Sequence, residues 1–338
     1  MEGGPQDVVD YEALPDSLPA STHMIAGATA GITEHCIMYP IDCVKTRMQA
    51  LNPKTSAYYS SVTQAMKSIT IKEGYGRAWH GMPAVMAGAG PAHAMYFACY
   101  EKIKSVLSEK KQTTAVASMA AGGCATLFHD TLMVPADVVK QRMQMYNSPY
   151  KSSLDCARQI VRHEGVRALY RSYTTQIAMN IPFHAVHVSI YEQVQNLLNH
   201  DREYKPISHI ISGGMAGSVA ALATNPFDVC KTLLNTQEIC CHSGKPADRG
   251  LVQAIQTVIS CRGWSGFFRG AQARMLFQMP AAAVSWSVYE FFKYFISGDK
   301  YVSRDSFQGE DGETLSSSSL ARKASIIAPV YANDATSR

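Results

Sequence analysis

The chain has 338 residues, 46% hydrophobic and 17% charged, with a formal net charge of +4. So small and dispersed a charge gives nucleic acid no electrostatic footprint. No stretch reaches the roughly 18 uncharged apolar residues of a helix surrounded by lipid, and mean hydropathy is −0.09, which leaves open a bundle whose helices line a watery cavity.

Residues 1–20 are acidic and lack Lys and Arg, the reverse of a mitochondrial presequence, and no secretory signal follows. They are expected to be a disordered acidic N-terminus. From there the chain repeats itself. Gly27, Gly122 and Gly213 each stand at one fixed distance before a proline that opens Pro-x-Asp-x-x-Lys. The three copies are Pro40-Asp42-Lys45, Pro135-Asp137-Lys140 and Pro226-Asp228-Lys231. Self-similarity at a fixed period means one structural unit used three times. The units are expected at 21–108, 112–199 and 205–297. A polar tail, 298–338, with serines at 316–319, is expected to be disordered.

Each unit reads as a long helix, a short helix and a second long helix. The first long helices are predicted over 23–49, 115–144 and 207–236. They open on small residues (Gly27 and Gly31, Gly122 and Thr126, Gly213 and Gly217) spaced for close helix approach in lipid. Pro40, Pro135 and Pro226 then kink them. Short basic amphipathic helices follow near 59–70, 151–161 and 250–259, closing on Glu73-Gly74, Glu164-Gly165 and Arg262-Gly263. The second long helices, 81–104, 172–198 and 269–296, carry Pro91, Pro182 and Pro280. Each proline lies at a constant distance before Tyr100-Glu101, Tyr191-Glu192 or Tyr289-Glu290. Lys104 and Lys293 follow, with Gln195 in the middle copy. The fold class is therefore an all-α membrane protein. Six transmembrane helices form three pseudo-symmetric two-helix repeats around a central cavity, with three short helices on one side. The even number of spans puts both termini on the other side, and the basic loops face the compartment that retains positive charge.

A charge at mid-bilayer costs about 2.5–3.5 kcal/mol on insertion scales. Six at the kinks would cost on the order of 15–20 kcal/mol if lipid-facing and unpaired. They are expected to face inward, each Asp pairing with the Lys of the next unit and closing one mouth of the cavity. Glu101, Lys104, Glu192, Glu290 and Lys293 supply a weaker second ring at the other mouth. Two rings that break in turn would give alternating access.

These residues resemble the mitochondrial carrier family, whose signature is Pro-x-[Asp/Glu]-x-x-[Lys/Arg], then an acid-Gly pair, an aromatic and a basic-Gly pair. The endings here are Trp79-His80-Gly81, Tyr170-Arg171-Ser172 and Phe268-Arg269-Gly270. The resemblance covers 21–297. It implies an inner-membrane transporter with both termini toward the intermembrane space, a matrix gate at the proline ring, and glutamine braces at Gln49 and Gln144. Asn235 stands at the third brace, Leu233 replaces the basic residue found at Arg47 and Arg142, and Arg262 replaces the acid of the third loop. Within the family, the strings at 31–42, 88–101, 141–148, 179–183 and 228–238 are similar to those of its iron carriers. That implies ferrous iron as the transported substrate, imported for haem and iron–sulfur cluster synthesis, with no permanently bound cofactor. Inner-membrane lipid and iron are the implied partners. No matrix protein partner is implied, and one chain completes the threefold unit, so a monomer suffices.

The predicted cavity positions agree with a cation. Carriers of polyanions line theirs with Arg or Lys. Here the first long helices carry none above their kinks, and the second long helices contribute to the cavity only Arg274, six residues before Pro280, amid histidine, methionine, amide and carboxylate. Imidazole suits iron, copper, zinc and nickel, and carboxylate suits harder ions. His93 and His184 each follow their helix proline at one offset and form a matched pair. His35 shares the helix face of Asp42, with Asp130 as its equivalent before Asp137. His209 lies near the outer mouth as an entry site. Met179, Asn180 and Gln278 fall at the family's substrate-contact depth, beside a small Gly88 that leaves room. His129 and His187 read as structural hydrogen bonders, and Met95, Met215 and Met275 as packing. The cysteines read as small apolar residues, Cys240-Cys241-His242 as an incidental loop cluster. A same-fold carrier of another transition metal or small cationic solute stays open. A soluble helical metalloenzyme would need a motif such as His-Glu-x-x-His, and His163-Glu164 lacks the second histidine.

Overall fold

The computed structural model describes residues 20–50, 59, 61–109, 114–199, 206–237 and 250–297. The acidic start, the Cys240-Cys241-His242 segment and the tail 298–338 lie outside the described residues. The first unit comprises α1 (Ala20–Gln49), α2 (Val62–Glu73) and α3 (Met82–Glu109). The second comprises α4 (Thr114–Gln144), α5 (Ser153–Glu164) and α6 (Tyr173–Leu198). The third comprises α7 (Pro206–Ala223), α8 (Asn225–Thr236), α9 (Leu251–Arg262) and α10 (Ala271–Ser297). A single 3-10 turn precedes each of α3, α6 and α10. The described secondary structure is all helical.

The short helices begin and end as their sequences dictate. Ser61 and Ser152 cap α2 and α5, their hydroxyls accepting the amides of Gln64 and Asp155 at 3.3 and 3.2 Å. Gly74, Gly165 and Gly263 end the three helices at φ of +88°, +84° and +65°, a conformation that costs glycine nothing. Each short helix is anchored by apolar contact to the long helix before it: Ile69 to Val44 and Met48, Ile160 to Val138 and Met143, Val258 to Val229 and Leu233.

Pro40, Pro91, Pro135, Pro182 and Pro280 lie inside continuous helices. The single helix expected over 207–236 is instead two, α7 and α8, bent by 67° at Thr224. The units also differ at the residue before each first proline. Tyr39 reaches the turn that closes its unit with a long ring, its hydroxyl donating to His80 O at 2.8 Å. Asn225 reaches the matching turn with a short amide, donating to Phe267 O at 2.6 Å. Asn225 thus ties the start of α8, at the break, directly to that turn. Val134 makes no such tether.

α3 packs against α1 and α4, and α6 against α4 and α7. α7 meets α10, where Ser218 Oγ donates to Met275 O at 3.2 Å and a Cβ on Gly214 would lie 2.8 Å from Met279 Cγ. α10 returns to α1 through Ala273, which sits among Val44 and Met48. Adjacency thus runs round a closed ring of long helices. Among the described residues no single helix is long and apolar enough to cross a membrane; only the bent α7–α8 pair passes that test. Ile37, Phe128, Ile181, Val188 and Leu276 nevertheless stand more than half exposed on the long helices, an apolar surface of the kind lipid covers.

The small residues divide differently from the expectation. Gly122 has open space around it rather than a neighbouring helix. Gly88 does not leave room in a cavity, since a Cβ there would meet Ala136 Cβ of α4 at 2.5 Å, so it serves helix packing. Cys261 departs from the apolar reading of the cysteines: it is disulfide-bonded.

Candidate transport pathway

The three proline motifs converge. Lys140 Nζ lies 2.8 Å from Asp42, Lys231 Nζ 2.6 Å from Asp137, and Lys45 Nζ 2.9 Å from Asp228. Each aspartate thus holds the lysine of the following unit, and the third closes on the first. The pairs are largely buried, and losing one partner of such a pair strands the other charge, which is far costlier than the pair's net worth.

Glutamines on the next turn brace two of the pairs. Gln49 Nε2 donates to Asp228 at 2.7 Å while its Oε1 accepts from Thr232. Gln144 Nε2 donates to Asp42 at 3.0 Å while its Oε1 accepts from Thr46. At the third seam the lengths are exchanged. Asn235 replaces the glutamine and Gln141 the threonine, and Asn235 Oδ1 and Nδ2 and Gln141 Oε1 are buried without partners. The Asp137–Lys231 pair is therefore unbraced.

A collar lies beyond the ring. Arg47 and Arg142 each donate Nε at 2.8 Å to a helix-end carbonyl of the next unit, Gln144 O and Asn235 O. Each also forks onto the acid of its own loop, Glu73 and Glu164. These hydrogen bonds hold the Glu164 carboxyl below the usual range. Leu233 cannot repeat this and is buried among Val229, Ala254, Val258 and Phe267. Arg269 closes that seam instead, donating to Met48 O at 3.1 Å. Arg274 adds a second cation to Asp228, its Nε 3.8 Å away and its Nη2 3.5 Å from Met179 Sδ. At the equivalent places the other units have Val85 and Gln176.

Among the pathway candidates, His93 lies with histidines of its two neighbouring helices. Its ring centroid is 6.2 Å from that of His35 on α1 and 5.0 Å from that of His129 on α4. Gly31 makes the space, because a Cβ there would fall 2.2 Å from His93 Nε2. His184 is exposed and lies against Phe183, centroids 5.8 Å apart. Met179 is buried beside Arg274. Asn180 donates to Asp130 at 2.6 Å and accepts from Gln176 at 3.0 Å. Gln278 packs on Gly217 of α7. Asp130, an equivalent of His35 on sequence grounds, is tied to both Asn180 and His129.

At the other mouth, the side chains of Glu101, Lys104, Glu290 and Lys293 lie outside the described residues. Glu192 is exposed. Gln195 turns to α7, donating to His209 Nδ1 at 3.0 Å and accepting from Ser212 at 2.9 Å. Tyr191 Oη lies 2.6 Å from the same Nδ1. Among the described residues no ion pair joins α3, α6 and α10. Sequence reasoning missed the Tyr39 and Asn225 tethers and the Arg269 closure. The variable residue before each kinking proline was the available signal for the first two.

Threefold repetition, a cyclic ion-pair ring and acid–arginine links define a class of membrane carrier. The mitochondrial carrier protein family matches the chain three times, at 16–111, 111–202 and 202–300, and the chain belongs to that family. It is a transporter of the mitochondrial inner membrane rather than an enzyme. Among its relatives, Mitoferrin-1 of Rattus norvegicus is 54% identical over 85% of this chain and 87% of its own length. Mitoferrin-2 of Homo sapiens is 53% identical over 87% and 82%, and Mitoferrin of Caenorhabditis briggsae 49% over 88% and 98%.

Proposed function

We propose that this chain imports ferrous iron into the mitochondrial matrix by alternating access, supplying haem and iron–sulfur cluster synthesis. The observation that carries this reading is the meeting of His35 and His93, from adjacent helices, in a bundle whose spans carry one basic residue, Arg274, between the Asp–Lys ring and the second gate. Imidazole with nearby amide and carboxylate suits a borderline divalent metal and serves a polyanion poorly. The names of the relatives agree. His35, His93, Met179, Asn180, His184 and Gln278 form the pathway. The Asp–Lys ring, braced by Gln49 and Gln144, is the matrix gate. Glu101, Lys104, Glu192, Glu290 and Lys293 form the intermembrane-space gate, and both termini lie on that side. With the matrix ring joined, the chain is in its outward-facing conformation. Substrate entry exchanges the ring for the second gate as the proline-bearing helices rock.

Purified protein in liposomes tests this. Iron(II) is expected to accumulate, with manganese, zinc and cobalt as competitors that rank its selectivity. Absent iron uptake, with another solute moving and competed by its own unlabelled form, would replace iron by that solute.

A further inference from the structure

We propose that His129, held by Asp130, is a metal ligand, and that the capture site lies on the wall formed by α1, α3 and α4. The inference rests on the iron reading and deepens it by placing the site. His129 Nδ1 lies 3.3 Å from Asp130 Oδ1, while its Nε2 is buried and has no partner. Asp130 is 5% exposed, and its other oxygen accepts from Asn180 at 2.6 Å, with Gln176 holding Asn180 in turn. A carboxylate on one ring nitrogen and nothing on the other is the arrangement of a ligating histidine. The carboxylate fixes the tautomer and ring orientation and raises the basicity of the far nitrogen. A histidine that merely joined two helices would have its second nitrogen satisfied.

The ring geometry agrees. A metal–nitrogen bond of about 2.1 Å puts a metal ~3.2 Å from the imidazole centroid, so two rings on one ion lie within about 6.5 Å. His93–His129 at 5.0 Å and His35–His93 at 6.2 Å both fall inside that limit. Among the described residues no three such groups already converge to hold an ion. The rings must therefore rotate together on binding, which suits cargo that has to be released and distinguishes this wall from a closed structural site. Asp130 orients, His129 and His93 ligate, and His35 joins as the rings close.

Cobalt(II), a spectroscopic stand-in for ferrous iron, tests this on the full-length protein in detergent. The wild type is expected to show an absorption spectrum with imidazole ligation by X-ray absorption. His129→Ala should remove one imidazole from the count and weaken binding at least tenfold. Asp130→Asn should keep the count and lose about 10–100-fold in affinity. His129→Gln, which retains a bond to Asp130, must show the same loss as the alanine variant and guards against misfolding. His163→Ala, on exposed α5, should match the wild type. An unchanged imidazole count and affinity in both His129 variants overturns the proposal while leaving iron transport standing. Wild-type protein that binds no cobalt and moves no iron overturns both.

Discussion

At the scale of the residue, Gly31 is the clearest case of one atom deciding a site. Its missing Cβ is where the His93 ring sits, with three ring atoms within 2.9 Å of the place a methyl would take. The obstructed group is the tip of a side chain, which can swing away more cheaply than a helix backbone can shift. Gly31→Ala is therefore expected to leave thermal stability within about 1 kcal/mol and to lower iron uptake several-fold. Uptake in proteoliposomes beside a melting curve separates the two effects. Wild-type uptake would show that His93 does not need this position. Asn235 makes the opposite point. The sequence shows that it is too short for the brace, and the structure adds that Gln141 has grown to fill the space without satisfying either amide.

At the scale of the element, the short helices on the gate side share apolar docking, and two of them add an ionic link. α2 and α5 add arginine–carboxylate forks to their apolar anchors, whereas α9 packs around Leu233 and Phe267 without a fork. Leu233 and Arg262 depart from the pattern in the same unit, so the fork loses both its arginine and its acid there. This predicts a pH dependence for α5. The Arg142 fork lowers the Glu164 pKa, so the stabilisation is present at neutral pH and lost only as pH falls through that lowered value. Glu164→Gln is expected to reduce the melting temperature by about 2–4 °C at pH 7, the gap closing below about pH 4. A constant gap from neutral to acid pH would assign the loss to packing rather than to the ion pair.

At the scale of the molecule, the ring is one object made by three distant segments. Asp137→Lys sets like charges at the Lys231 seam and should reduce uptake to near background. Adding Lys231→Asp should restore a measurable part, because the seam then regains opposite charges. The same rates in the single and double variants would remove the ring from the transport cycle. The third unit departs most from symmetry. Its helix is broken at Thr224, its loop is docked by apolar contact without a fork, and Arg274 shares Asp228 with Lys45.

Much of this was legible beforehand. The repeat gives the helix count, the short helices and a cyclic ring of Asp–Lys pairs, because buried charges must pair and threefold rotation repeats whichever pairing one seam adopts. Hydropathy could not have given the spans, since each helix hides polar residues toward the axis. The histidine wall was not legible either. Pseudo-symmetry equates His93 with His184, but equivalent positions are related by rotation and so face one another across the axis. Contact is set instead by which helices are adjacent, and α3 lies between α1 and α4, bringing His35 and His129 to His93. The sequence by itself determined the architecture and the charge pairing, through periodicity and the cost of unpaired charge in lipid. Only the tertiary structure decided which side chains share a wall, because helix adjacency and the rotation of each helix about its own axis set distances that spacing along the chain does not encode.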